Sequence, residues 1–139
     1  PWGHKMKGEK LVPLQIDNPP VMGPATGVHC SMADWSKFAM LHLAAARKKP
    51  RMLKNDSFVH LHEPADGFEY AGGWVIHGDD KVLTHDGTNT LWYCRIQIHP
   101  RDNVALLVAM NRGGDEAKAA AGAAIKVLNA YYLDYLRRR

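Results

Sequence analysis

From residue 69 to residue 111 the chain reads as short strand-like runs separated by turn residues. This pattern constrains the fold more than any other part of it. Glu69 to His77 is one predicted strand, with Gly72-Gly73 as a bulge or point of close approach. Gly78-Asp79-Asp80 is a turn, Lys81 to His85 a second strand and Thr90 to His99 a third. Pro100-Arg101-Asp102-Asn103 is another turn, followed by a fourth strand from Val104 to Asn111. Its run Val104-Ala105-Leu106-Leu107-Val108-Ala109-Met110 is apolar on both faces, which predicts a central position. Gly113-Gly114 breaks the run. Asp115 then caps a predicted helix over 115–136, with Ala117, Ala121, Ile125, Leu128, Tyr132 and Leu136 along one side. Joining loops this short make antiparallel neighbours, and the alanine-rich start of the helix suits close packing on a sheet.

The first half is organised differently. Residues 1–30 hold Pro13, Pro19, Pro20 and Pro24 and almost no periodicity. They read as a long irregular segment with at most a short strand at Lys10-Leu11-Val12. Ser31 reads as an N-cap, with Asp34 three residues on as a capping-box variant. The helix it starts runs to about Ala46, with Met32, Trp35, Phe38, Ala39, His42, Leu43 and Ala46 as the buried stripe. Pro50 ends it. Asp56 caps a second, short helix through Phe58, Leu61 and His62, closed by Pro64. The predicted layout is therefore an irregular segment, a helical part over 31–64, antiparallel strands over 69–111 and a terminal helix. That is an α+β class, with the helix covering one face of a meander.

Length and charge narrow the function. At 139 residues the chain is one domain or part of one. It opens on Pro1 rather than Met, which reads as a piece of a longer chain, and no leader-like start is seen. No apolar run is long enough to span a bilayer. The net charge of +4 comes largely from Arg47-Lys48-Lys49 and Arg137-Arg138-Arg139. Each basic run follows a helix, where cations complement the negative end of the dipole. Basic residues interleaved with exposed aromatics, the mark of a nucleic-acid surface, are missing. Two cysteines are too few for a disulfide scaffold. Cys94, in line with Trp92, Ile96 and Ile98, is expected as a buried thiol, while spacing leaves a Cys30–Cys94 bridge open.

The chain supplies no obvious nucleophile. Its serines are Ser31, Ser36 and Ser57, none in a Gly-x-Ser-x-Gly elbow. Three residues after them stand Asp34, Ala39 and His60, never Lys. Among eight histidines, His60 and His62 are two apart, and His77 and His85 lie near an acidic turn. Two apart on a helix does not share a face, and no His-Glu-x-x-His pattern accompanies them. No metal and no cofactor is predicted, and a metal-dependent hydrolase using His60, His62 and His85 is the weakest alternative. Trp74, Trp92 and Tyr93 fit sheet core as well as a ligand cleft. Alternation puts Tyr93 and Arg95 opposite Trp92 and Cys94, so only one set faces any site.

One segment combines small and polar groups between two apolar strands: His85-Asp86-Gly87-Thr88-Asn89. A histidine at a strand end supplies hydrogen bonds or charge, and a glycine beside it lets another molecule approach the backbone. The pattern fits both a solvated turn and a cleft wall.

At this point the order of motifs resembles the serine β-lactamase and penicillin-binding-protein superfamily. The branch is that of class C β-lactamases, D-Ala-D-Ala carboxypeptidases and related esterases. Gly23-Pro24-Ala25-Thr26-Gly27 through Ser31-Met32-Ala33-Asp34 to Phe38 is similar to the family's Pro-Ala-Gly-Gly…Ser-x-x-Asp-x-x-x-Phe segment. Tyr70-Ala71-Gly72-Gly73-Trp74 resembles its Tyr-Gly-x-Gly-Trp strand, and His85-Asp86-Gly87 its His-x-Gly motif. Asn111-Arg112-Gly113 before a long helix also fits, and Pro1-Trp2-Gly3-His4 resembles a stretch found midway along many members. The resemblance spans the chain but only the C-terminal part of the family domain. It implies an amide or ester hydrolase working through an acyl-serine intermediate. His85, with Asp86 and Asn89 beside it, would hold the substrate's carboxylate or carbonyl end, Gly87 would leave room for its backbone, and the Thr88 N–H would be one oxyanion-hole donor. The family's Ser-x-x-Lys and Tyr-x-Asn motifs do not occur here. The resemblance thus implies a segment incomplete alone. Its expected partners are a small-molecule or peptide substrate, the missing half of the domain, or a second copy through an exposed sheet edge. It also implies a periplasmic or secreted setting. The rival from another class is a non-catalytic ligand- or partner-binding module with the same fold.

Overall fold

A computed structural model describes residues 2–16 and 18–138, and within the last helix the side chains of 133, 136 and 137 are outside the description. The order is strand β1 (Gly3–Lys7), β2 (Lys10–Leu14), a 3-10 turn (Pro20–Met22), and helices α1 (Gly23–Thr26), α2 (Met32–Ala46) and α3 (Asn55–His62). Then come β3 (Tyr70–Ala71), β4 (Trp74–His77), β5 (Val82–Thr88), β6 (Tyr93–His99), β7 (Val104–Met110) and α4 (Asp115–Arg137). The class is α+β: one sheet has the order β3-β4-β5-β6-β7, with antiparallel register recorded from β3 to β5, and a hairpin forms a second sheet. The chain divides into two compact units. One takes the residues up to His29, Asp86–Arg95 and those from Val108 on; the other takes Cys30–His85 and Ile96–Leu107.

In the Cys30–His85 unit, Ser31 caps α2 as its sequence predicts. Its Oγ accepts from the Asp34 N–H at 3.1 Å and donates back to Asp34 Oδ2 at 2.8 Å. The reciprocal bond runs between side chains, so this is not the full capping box. Lys37 pairs with the same carboxylate at 2.7 Å and, with Ser31, holds the Asp34 acid below its ordinary value. At the other end Lys48 takes φ 55 and a Schellman motif closes the helix: Lys48 N–H donates to Ala45 O and Lys49 N–H to Ala44 O, both 2.9 Å. Pro50 follows the stop rather than making it. The buried stripe is narrower than periodicity predicts. Ala39, His42, Leu43 and Ala45 are buried, while Met32, Phe38 and Ala46 are exposed. The core of this unit joins Ala39 and Leu43 to Trp74, Ile76, Leu83, Ile96 and Ile98. Helix α3 starts two residues early, with Lys54 at the N-cap, so Asp56 lies in the first turn instead of capping it.

The predicted strand from 69 to 77 is two strands. Gly72 and Gly73 have φ +57 and +91 and make the two-residue turn between them, with Ala71 opposite Trp74. Positive φ at both centres is the twist a tight hairpin needs, and glycine supplies it at no steric cost. A Cβ on Gly72 would lie 2.8 Å from Leu61 Cα, so the turn is seated directly on α3.

In the other unit residues 3–14 are not irregular. β1 and β2 form a hairpin in register from Gly3↔Leu14 to Lys7↔Lys10. Gly8, φ +62, takes the first turn position, where glycine is favoured. Pro13 sits opposite His4 in that ladder, so this one proline is tolerated in a two-stranded edge. Beyond the hairpin, the His4 N–H donates to Asn111 O at 2.8 Å. Helix α4 buries Ala117, Ala121 and Ile125, one every four residues. Leu128 is exposed, Tyr132 half-buried, and Leu136 lies outside the described side chains. Asp115 is the first helical residue rather than the cap.

Two further expectations are corrected. β7 is the outer strand of its sheet, not a central one. Its two-sided apolar run still buries only Leu106 and Val108. Cys94 is exposed, as is Cys30, although Ile96 and Ile98 further along β6 are buried.

Candidate functional site

Strand β5 continues through Thr88, so His85 and Gly87 lie within a strand and not at its end. His85 is exposed. Its Nε2 lies 3.3 Å from the Tyr70 hydroxyl, with ring centroids 6.1 Å apart. Tyr70 belongs to β3, and β4 stands between β3 and β5. The two side chains therefore meet across an intervening strand.

Asp86 is turned to its own unit. Its Oδ2 accepts from the Tyr93 hydroxyl at 2.6 Å, and its Oδ1 faces Arg95 Nε at 3.3 Å. Arg95 Nε makes no hydrogen bond, so that pair is held by charge alone. Burial of the Tyr93 phenol, then its bond to Asp86, pushes its pKa up to about 12. Tyr93 and Arg95 do share a face, as alternation requires.

Thr88 and Asn89 shape the turn into β6. Thr88 Oγ1 donates to Trp92 O at 2.8 Å, and Asn89 Oδ1 accepts from the Trp92 N–H at 3.2 Å. Between them Thr90 adopts φ +78, a conformation β-branched residues rarely take. A Cβ on Gly113 would collide with the Thr90 carbonyl, so this glycine is required where the chain passes that loop. Gly87 is different: a Cβ there would meet nothing within 4 Å. Its backbone is open, and no packing demands a glycine.

Of the sequence-predicted set, His85 and Gly87 therefore remain accessible, while the side chains of Asp86, Thr88 and Asn89 serve the hairpin. Sequence reasoning missed Tyr70, whose contact depends on the unread β3–β4 hairpin. It also missed the pairing of His42 and His62.

That pair lies between α2 and α3. His42 is 4% exposed and its Nδ1 is 2.8 Å from His62 Nε2. The rings of Phe38, Trp74 and Phe58 meet His42 edge-on at 4.8, 4.9 and 5.6 Å. Burial, then the neighbouring His62, lowers the His42 pKa to about 4; burial, then Lys81, lowers that of His62. A cavity of about 230 Å³ opens beside His62, with Phe58, Val59 and Leu83 among its walls and Lys81 and Glu63, paired at 3.2 Å, also lining it.

Each serine hydroxyl with a recorded bond serves a helix: Ser31 caps α2, and Ser36 donates to Ala33 O at 2.7 Å. Among the described residues no three His, Cys, Asp or Glu side chains are grouped to hold a metal, so His60, His62 and His85 form no such set. No helix among the described residues is long and apolar enough to cross a membrane. No protein-family model and no characterised protein matches the chain.

Proposed function

We propose that the chain is the C-terminal segment of a β-lactamase-like serine hydrolase that cleaves an amide or ester through an acyl-serine intermediate. The observation that carries the reading is the accessible pair on β5, His85 exposed and Gly87 with open space where a side chain would stand. A substrate laid along that strand meets backbone at Gly87 and an imidazole at His85. The Thr88 N–H is the proposed oxyanion donor; removing one such donor costs about 3 kcal/mol of transition-state stabilisation. His85 binds the substrate's carboxylate or carbonyl oxygen. Asp86 and Asn89 act by holding the hairpin in place. The attacking serine, its lysine and the tyrosine base are assigned to residues upstream in the parent protein, so the partners are that half of the domain and a small-molecule or peptide substrate. A periplasmic or secreted setting goes with this reading.

The test is to join the chain to its upstream residues, react the product with an activated ester and map the acyl adduct by mass spectrometry. The adduct is expected on an upstream serine of a Ser-x-x-Lys sequence. An adduct on Ser31, Ser36 or Ser57 overturns the assignment. The non-catalytic binding module is the second reading, favoured by the structural engagement of Ser31 and Ser36. An absence of any adduct supports it.

A further inference from the structure

We infer that the cavity lined by the end of α2, by α3 and by the start of β5 binds a small monocarboxylate whose apolar body is the size of one aromatic ring. Such binding needs no acyl-serine chemistry, so it is separate from the proposed hydrolase.

The floor of the cavity is apolar. Ala45, Phe58 and Leu83 line it and are 5%, 3% and 1% exposed. Val59, on the wall, keeps 39% of its surface open. Covering that area with an apolar ligand removes it from water and favours binding. An apolar cavity of about 150 Å³ accepts benzene, so one of about 230 Å³ holds a ring and leaves room for a polar head.

The rim is polar, and its charges do not balance. Lys48, Lys81, Glu63 and Asn55 line the cavity together with His62. Lys81 pairs with Glu63 at 3.2 Å, whereas Lys48 has no acidic partner among the described residues. Burial, then the Lys81 charge, keeps His62 in its neutral form near pH 7. Two ammonium groups against one carboxylate leave one positive charge, which matches a monoanion. Glu63 at the same rim disfavours a second negative charge on the ligand. Both lysines hold their places at a cost to the backbone. Lys48 has φ 55 and Lys81 φ 49, the left-handed region where glycine is unstrained. Lys48 closes α2 at the position where glycine is the usual choice, and the Lys81 N–H closes a turn on Gly78 O at 3.1 Å. Glycine at either point would relieve the strain and lose the cation. A carboxylate at the rim makes charge-assisted hydrogen bonds to the ammonium groups, with the Asn55 amide as a further donor. The ring lies over Phe58 and Leu83.

The experiment titrates the chain, ¹³C-labelled at its methyl groups, with benzoate, benzamide and acetate at about pH 7. Benzamide keeps the ring without the charge, and acetate keeps the charge without the ring. Benzoate is expected to shift the Ala45, Val59 and Leu83 methyl signals saturably, with a Kd on the order of 1 mM. Benzamide and acetate each bind about tenfold more weakly or less. Lys48→Gln and Lys81→Gln together weaken benzoate about tenfold and leave benzamide unchanged. Ala46→Leu, a change at an exposed helical position on the cavity wall, removes the benzoate shifts by filling the space. In both variants the ring signals of the buried His42 report the intact fold. Shifts that stay linear in benzoate concentration or map outside the cavity overturn the inference. Equal affinity for benzoate and either control, or undiminished binding in either variant, overturns it as well.

Discussion

Asp86 stands between His85 and Gly87 in sequence, yet its carboxylate is taken up by Tyr93 and Arg95. The fold explains this through β-strand alternation: neighbours along a strand face opposite sides, so a contiguous motif splits into two sets. That Tyr93 and Arg95 share a face was legible from spacing alone. That Asp86 meets them was not, because it depends on how β5 and β6 are set side by side, and the turn that sets it holds Thr90 at positive φ, a conformation its residue type argues against. The Tyr93 bond is to an ionised acceptor and the ring is 4% exposed, so it is of the stronger kind. Tyr93→Phe leaves Asp86 without this donor beside an arginine that offers it no hydrogen bond. A loss of about 2 kcal/mol is expected from urea unfolding. A change within a few tenths would show that the bond contributes nothing net.

The elements were read most accurately where local chemistry decides them. Ser31 and the stripe around Ala39, His42 and Leu43 placed α2, and the turn at 100–103 separated β6 from β7. The misreadings share a cause. In β1–β2 and at Gly72-Gly73, glycines at positive φ make two-residue turns, and the sequence there reads as irregular or as a bulge. β7 looked central because its residues are apolar, but strand order is set by pairing partners that composition does not encode. The α2–α3 contact carries a pH signature of its own. His42, with a pKa near 4, and His62, also lowered, both favour the neutral form when folded, whereas the unfolded value is 6.5. Below pH 6.5 the unfolded chain therefore binds more protons, and stability falls as pH drops toward about 4; above 6.5 the pair contributes no further slope. His99, lowered mainly by burial, adds to the same trend. The urea midpoint is expected to decline between pH 6.5 and 4, and His62→Gln, which keeps a hydrogen-bonding group without titrating, flattens part of that decline. A midpoint constant across this window in the unmodified chain contradicts the assignment.

At the scale of the molecule, the α+β class was legible because period-two runs and a capped helix differ plainly in pattern. The functional reading has a different footing. In the proposed function the open stretch of β5 is the wall of an acyl-transfer site; Ser31 and Ser36 are committed to helix α2. In that proposal the chain binds and stabilises but does not attack. The most direct measurement is the rate of hydrolysis of an activated ester by the chain alone and by the chain joined to its upstream residues. No turnover above buffer is expected for the chain alone, and a burst followed by steady turnover for the joined protein. Equal activity of the two would contradict it.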